Sequence, residues 1–196
     1  MPRAFDERER ADIDQSLRKA GARLFRQKGV AKTTVDELAR GAGIAKGSFY
    51  AFYASKELLF FDIIEALHVE MRAPLLDPLP NGKREQAAFE RMIRDLLHQA
   101  STEPLIHLMG QEDELRAVVR RVPPEKLQRH EQADQMFLEA LIALWADPDD
   151  PPERDVVAAR LTAALLVGLR RDFIGERLFP HAFDSVVKSF VDCFFP

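Results

Sequence analysis

The strongest constraint on this chain is the spacing of its apolar residues. They recur at three and four positions, and proline and glycine cut the recurrence into helix-sized lengths. No stretch alternates apolar and polar residues over more than a few positions, so no strand is expected. Over about residues 10–28, Ile13, Leu17, Ala20, Leu24 and Phe25 form one stripe, and Gly29 follows as a C-terminal cap. Thr34 and Glu37 fit a capping box that opens a short second helix containing Val35, Leu38 and Ala39. Gly41 and Gly43 end it, and Ile44 leads into a third short helix at about residues 45–52. Ser55 is the N-cap of a fourth, long helix running to about residue 72, with Pro74, Pro78 and Pro80 beyond it.

The rest reads as further helices at about residues 83–100, 104–121 (broken), 125–145, 153–175 and 182–194. Pro123-Pro124 suits a helix start, and the acidic, proline-rich stretch 147–152 is a linker. The expected fold class is all-α, divided into a small helical head at residues 1–55 and a larger helical part at residues 56–196.

Composition narrows the function classes. With 46% hydrophobic and 31% charged residues, the chain is globular rather than disordered. The uncharged apolar run at residues 161–169 is far shorter than the roughly 20 residues a spanning helix needs. The N-terminal stretch is charged and of mixed sign, unlike a signal peptide, so no membrane partner and a cytoplasmic location are expected. The single cysteine, Cys193, excludes an intrachain disulfide and a cysteine metal cluster. His68, His98, His107, His130 and His181 are scattered, and His107, Glu112 and Glu114 read as a solvated acidic turn rather than a metal set. Residues 147–150 lack the glycine and final glutamate of a calcium loop. No nucleophile elbow, His-Glu-x-x-His motif or phosphate-cradling glycine loop occurs. The expectation is a non-enzyme with no metal and no cofactor.

The formal net charge of −4 hides an asymmetry. Residues 1–56 hold 12 basic and 7 acidic side chains, whereas residues 57–196 hold 16 and 25. A basic head on an acidic body is what local phosphate binding requires. Within that head, two short helices joined by a glycine turn and flanked by longer helices make a helix-turn-helix pattern at residues 33–53. The second short helix is unusually polar and aromatic, with Lys46, Ser48 and Tyr50 close together, while Phe49 is a core residue. A helix laid in a major groove uses such residues: its first turn meets base edges, and hydroxyls and ammonium groups meet phosphates.

The run from Thr33 to Ala39, then Ala42 to Tyr50, then Tyr53 to Leu59, preceded by Ala22 to Gly29, resembles the DNA-binding head of the tetracycline-repressor (TetR) family. The resemblance covers about residues 10–65; beyond it only the helical layout is similar. It implies that Thr33 and Thr34 touch phosphate, that Lys46, Gly47 and Ser48 face the bases, and that Tyr50 and Lys56 contact the backbone. The family often carries histidine where this chain has Phe52. Phe52 is expected to make an apolar contact or to pack inward, and Tyr53 to supply a phosphate contact.

The same resemblance implies operator DNA, a small-molecule effector and a second copy of the chain as partners, in a repressor released by its effector. The last two helices are the expected dimer surface, through Leu161, Leu165, Gly168, Phe183, Val187 and Phe190. An apolar or aromatic effector is expected among Leu67, Met71, Met92, Met109, Met136, Phe137 and Phe173. Two alternatives stand beside this reading: a helical ligand-sensing or interaction protein without sequence-specific DNA binding, and an activator lacking a small effector.

Overall fold

The computed structural model describes residues 5–77 and 84–196. Pro78, Pro80 and Lys83 of the sequence reading lie outside them, as do residues 1–4. Among the described residues there is no strand, and no helix is long and apolar enough to cross a membrane. The chain divides into two compact units. One runs to Leu67 and includes Pro104–Pro124; the other comprises His68–Glu103 and Glu125–Pro196. This differs from the break expected at residues 55 and 56. The physical reason lies in the fourth helix, whose first half buries Leu59, Phe60, Phe61, Ile63 and Ile64.

In the first unit, α1 spans Glu7–Lys32, α2 Val35–Gly41 and α3 Lys46–Phe49, and α4 (Lys56–Arg72) contributes its residues up to Leu67. Two short helices, α6 (Pro104–Met109) and α7 (Glu112–Val119), complete it. α1 starts earlier than its apolar stripe because Asp6 and Glu9 form a reciprocal capping box. Gly29 breaks α1 with φ of 78°, a conformation that favours glycine, and one further turn follows. Leu17, Phe25, Leu38, Phe49, Leu59 and Phe60 are fully buried, with Phe25 meeting Phe60 edge-on at 5.4 Å.

The second unit contains α5 (Gln86–Thr102), α8 (Pro124–Trp145), α9 (Arg154–Gly168), α10 (Arg171–Ile174) and α11 (Phe179–Val191). The long helix expected over residues 153–175 is two helices, because the chain turns after the buried Gly168. The last helix begins earlier than expected, with Pro180 inside its first turn. Its core centres on Phe89, which packs on Trp145 at 4.8 Å and Phe194 at 4.7 Å. Trp145 Nε1 donates to the Leu75 carbonyl at 2.9 Å, so the indole is fixed at its polar end too.

Five residues of this unit depart from their expected places. Val187 and Phe190, taken as dimer surface, are fully buried within their own chain, and Gly168 is buried against Ser101 and Leu97. Leu161, Leu165 and Phe183 are half-buried against the same core. Phe173, taken as pocket lining, is 91% exposed on the short α10, and Met136 is exposed as well. Met71 and Met92 pack half-buried on the core and Phe137 is buried. Leu67 and Met109 are half-buried residues of the first unit. His68 and His130, scattered in sequence, stack with ring centroids 5.4 Å apart.

Candidate nucleic-acid interface

Local chemistry sets the turn between α2 and α3. Thr34 caps α2, its hydroxyl accepting from Glu37 N–H while the Glu37 carboxylate accepts from Thr34 N–H. Lys28 and Thr34 both bond the Glu37 carboxylate and hold it down at about 2. That stabilisation is present above the ordinary glutamate range and is lost as pH falls through about 2. Acid titration of the head's thermal midpoint should therefore fall between about pH 4.5 and 2 in the parent. It should fall less in Glu37→Gln; equal slopes would mean the cap carries no linked proton. Gly43, at φ of 72°, makes the turn, and Ile44 N–H donates to the Ala39 carbonyl at 2.9 Å.

α3 has only four residues, Lys46–Phe49, and its path continues as tight turns to Tyr53, whose N–H reaches the Phe49 carbonyl at 3.0 Å. Phe49 is the buried anchor of this segment. The anchor leaves the opposite face outward: Lys46 and Gly47 are exposed, Ser48 is half-buried and Tyr50 is 56% exposed. A Cβ on Gly47 would meet nothing within 4 Å. An open recess of about 450 Å³ adjoins this face, lined by Thr34, Tyr50, Ser55, Lys56 and Arg121 among others. Ser55 caps the start of α4 by accepting from Leu58 N–H at 3.2 Å.

Three expected contacts take a different place. Thr33 is fully buried and its hydroxyl donates to the Gly29 carbonyl at 2.7 Å, so its side chain is spent on closing α1. Tyr53 is buried, and its phenol donates to Asp14 at 2.5 Å. Burial, then that bond, push the phenol well above its usual range, so it remains a donor. Asp14 also takes Arg18, which reaches Asp62 at 3.0 Å, so the network ties α1 to α4. Lys56 donates to the carbonyls of Ala31 and Thr33 at 2.9 and 2.7 Å, strutting the α1–α2 junction while still lining the recess. Phe52 packs inward, with Phe5 at 5.7 Å and the Arg10 guanidinium 5.1 Å from its ring.

Tyr50 and Tyr53 are thus separable by substitution. Tyr53→Phe leaves Asp14 short of a partner and should cost about 1–3 kcal/mol of stability. Tyr50→Phe should leave the thermal midpoint unchanged and weaken DNA binding about fivefold. Calorimetric melting and fluorescence anisotropy of both variants check this; reversed effects would exchange the two roles.

Arg121 escaped the sequence reading. It follows α7 in the chain, about 70 residues from the helix-turn-helix, and only the tertiary fold brings it to the recess. The basic pair Arg120-Arg121 was the one available signal.

Comparison with known proteins agrees with this geometry. Residues 17–63 match the family model described as "Bacterial regulatory proteins, tetR family". The uncharacterized HTH-type transcriptional regulator YerO of Bacillus subtilis (strain 168) is 47% identical over 47 residues, 24% of this chain and 16% of that protein. Matches to the curated relatives span only 16% to 28% of their own length. A TetR-family transcriptional regulator from Pectobacterium atrosepticum shares the fold at a TM-score of 0.60 and 20% identity, covering 94% of this chain and 93% of that one. The fatty acid degradation regulator FadR of Bacillus halodurans does so at 0.61 and 11%, covering 94% and 97%. The family match lies on α1 to α4, where the exposed α3 face is built, and the helical fold of the solved regulators extends through the rest: over residues 17–63 the chain is similar to the tetR family of bacterial regulatory proteins.

Proposed function

We propose that this chain is a ligand-responsive transcriptional regulator that binds a palindromic operator as a homodimer. Repression, relieved by a small apolar or aromatic effector, is its mode of action. The observation that carries the reading is the outward face of α3: Lys46, Gly47 and Tyr50 exposed, Phe49 buried behind them. Lys46, Gly47 and Ser48 meet base edges in the major groove. Thr34, Tyr50, Ser55, Lys56 and Arg121 line an open recess whose hydroxyls and two cationic side chains suit backbone phosphate. Thr33 contributes through its position rather than its hydroxyl, and Tyr53 and Phe52 hold the scaffold.

The dimer surface runs over the apolar groups that the second unit leaves exposed, Leu166, Phe173 and Leu178, rather than through Val187 and Phe190. The effector sits among Met71, Met92 and Phe137, at the edge of the core. It acts through α4, which contributes residues to both units. An effector that binds tightly and leaves operator affinity unchanged would contradict that coupling.

The reading is tested by salt dependence. A head that neutralises several phosphates loses affinity linearly on a log–log plot as salt rises. Arg121→Ala should lower operator affinity at low salt and reduce the slope by about 1, with the preferred sequence unchanged. A slope identical to the parent's would remove Arg121 from the interface, and no salt dependence at all would contradict DNA binding.

A further inference from the structure

We propose that His68, His130 and Asp134 form a binding site for a divalent transition ion of the zinc class, contained within the second unit. His130 and Asp134 stand four residues apart on α8, so their side chains share one face of the helix. That is the spacing by which a helix presents two ligands to one ion. His68, near the C-terminal end of α4, stacks on the His130 ring at 5.4 Å with the planes 29° apart. One ligand atom from each of the three lies within 4.8 Å of the others. Among the described residues no other trio of His, Cys, Asp or Glu converges in this way. Tetrahedral zinc sets its nitrogen and oxygen ligands roughly 3.4 Å apart, so modest side-chain rotations close the site.

Two further features point to a ligand. Nδ1 of His68 is buried without a hydrogen-bond partner, a costly arrangement that a metal satisfies. The Asp134 carboxylate is divided in its duties. Its Oδ1 accepts from Arg72 at 2.7 Å, while Oδ2 lies 3.9 Å from His130 Nε2, too far for a hydrogen bond. Arg72 is itself held 4.8 Å over the Phe137 ring, so it orients the carboxylate from outside the ligand set. Two imidazoles and one carboxylate select zinc-like ions over magnesium and calcium, which prefer all-oxygen sets. Three protein ligands also leave a fourth position open to a small exogenous ligand.

The test uses the full-length, metal-free protein. Titration with ZnCl₂, followed by imidazole NMR and calorimetry, should show one equivalent bound per chain. Of the five histidines, His68 and His130 should shift while His98, His107 and His181 stay in place. MgCl₂ should shift none. His68→Gln and His130→Gln should each weaken zinc binding at least about tenfold. Zinc shifts confined to the other three histidines, or unchanged affinity in both variants, would overturn the site. Should a variant fail to fold, CoCl₂ bound to the parent protein decides: intense visible absorption supports the low-coordinate site, and a weak, water-like spectrum overturns it. None of these readouts involves DNA, so the outcome is independent of the head's function.

Discussion

Gly47→Glu is expected to abolish operator binding while leaving the head folded. Gly47 lies on the exposed face of α3, and a Cβ there meets no protein atom within 4 Å. The substitution therefore creates no clash inside the protein. Removing a glycine from a helix adds up to about 1 kcal/mol of local stability, so the melting midpoint should hold or rise slightly. In the complex, however, the new side chain occupies the space between helix and base edges, and its carboxylate confronts the phosphates. Operator affinity should fall by at least about 100-fold, on the scale of losing two good base contacts. Anisotropy titration with circular dichroism melting checks both halves. Undiminished affinity would mean that α3 does not enter the groove.

Phe89→Ala should be the most damaging single truncation in the second unit. Its ring is fully buried and meets Trp145, Phe190, Phe194 and Phe195 at 4.7–6.1 Å between centroids. Truncation of a buried phenylalanine costs about 3–5 kcal/mol, and the upper end applies where neighbours cannot collapse into the space. Trp145 is tethered by its bond to Leu75, which limits that collapse. Urea denaturation followed by tryptophan fluorescence isolates this unit, because Trp145 is the only tryptophan of the chain. A loss below about 1 kcal/mol would show that the aromatic cluster repacks freely.

The all-α class and the helix-turn-helix were legible in the sequence because their determinants are local. Gly29 and Gly43 sit at positive φ where punctuation was read, and the Thr34–Glu37 box and the Ser55 cap form as their spacing requires. The exposed set Lys46, Gly47 and Tyr50 follows from one apolar residue, Phe49, fixing which face turns inward. Polar residues with distant partners were not legible. Tyr53 looked like a phosphate donor because nothing nearby in sequence reveals Asp14, 39 residues away. Lys56 likewise finds its carbonyls 23 and 25 residues upstream.

An amphipathic stripe has the same limitation. The α11 stripe containing Val187 and Phe190 announces a buried face without saying whether its cover is the same chain or another. The His68–His130 pair, invisible as a spacing motif, arises only when α4 and α8 meet. Fold class therefore came from periodicity, whereas each residue's role depended on contacts that periodicity does not encode.

The central claim is sequence-specific recognition of DNA by a paired head, and selection from a pool of random duplexes tests it most directly. The predicted result is enrichment of one inverted repeat. Its half-sites should be spaced so that two α3 helices enter successive major grooves, about 34 Å apart or a multiple of that. Recovered sequences with no shared motif, from protein shown to be folded and dimeric, would contradict the account.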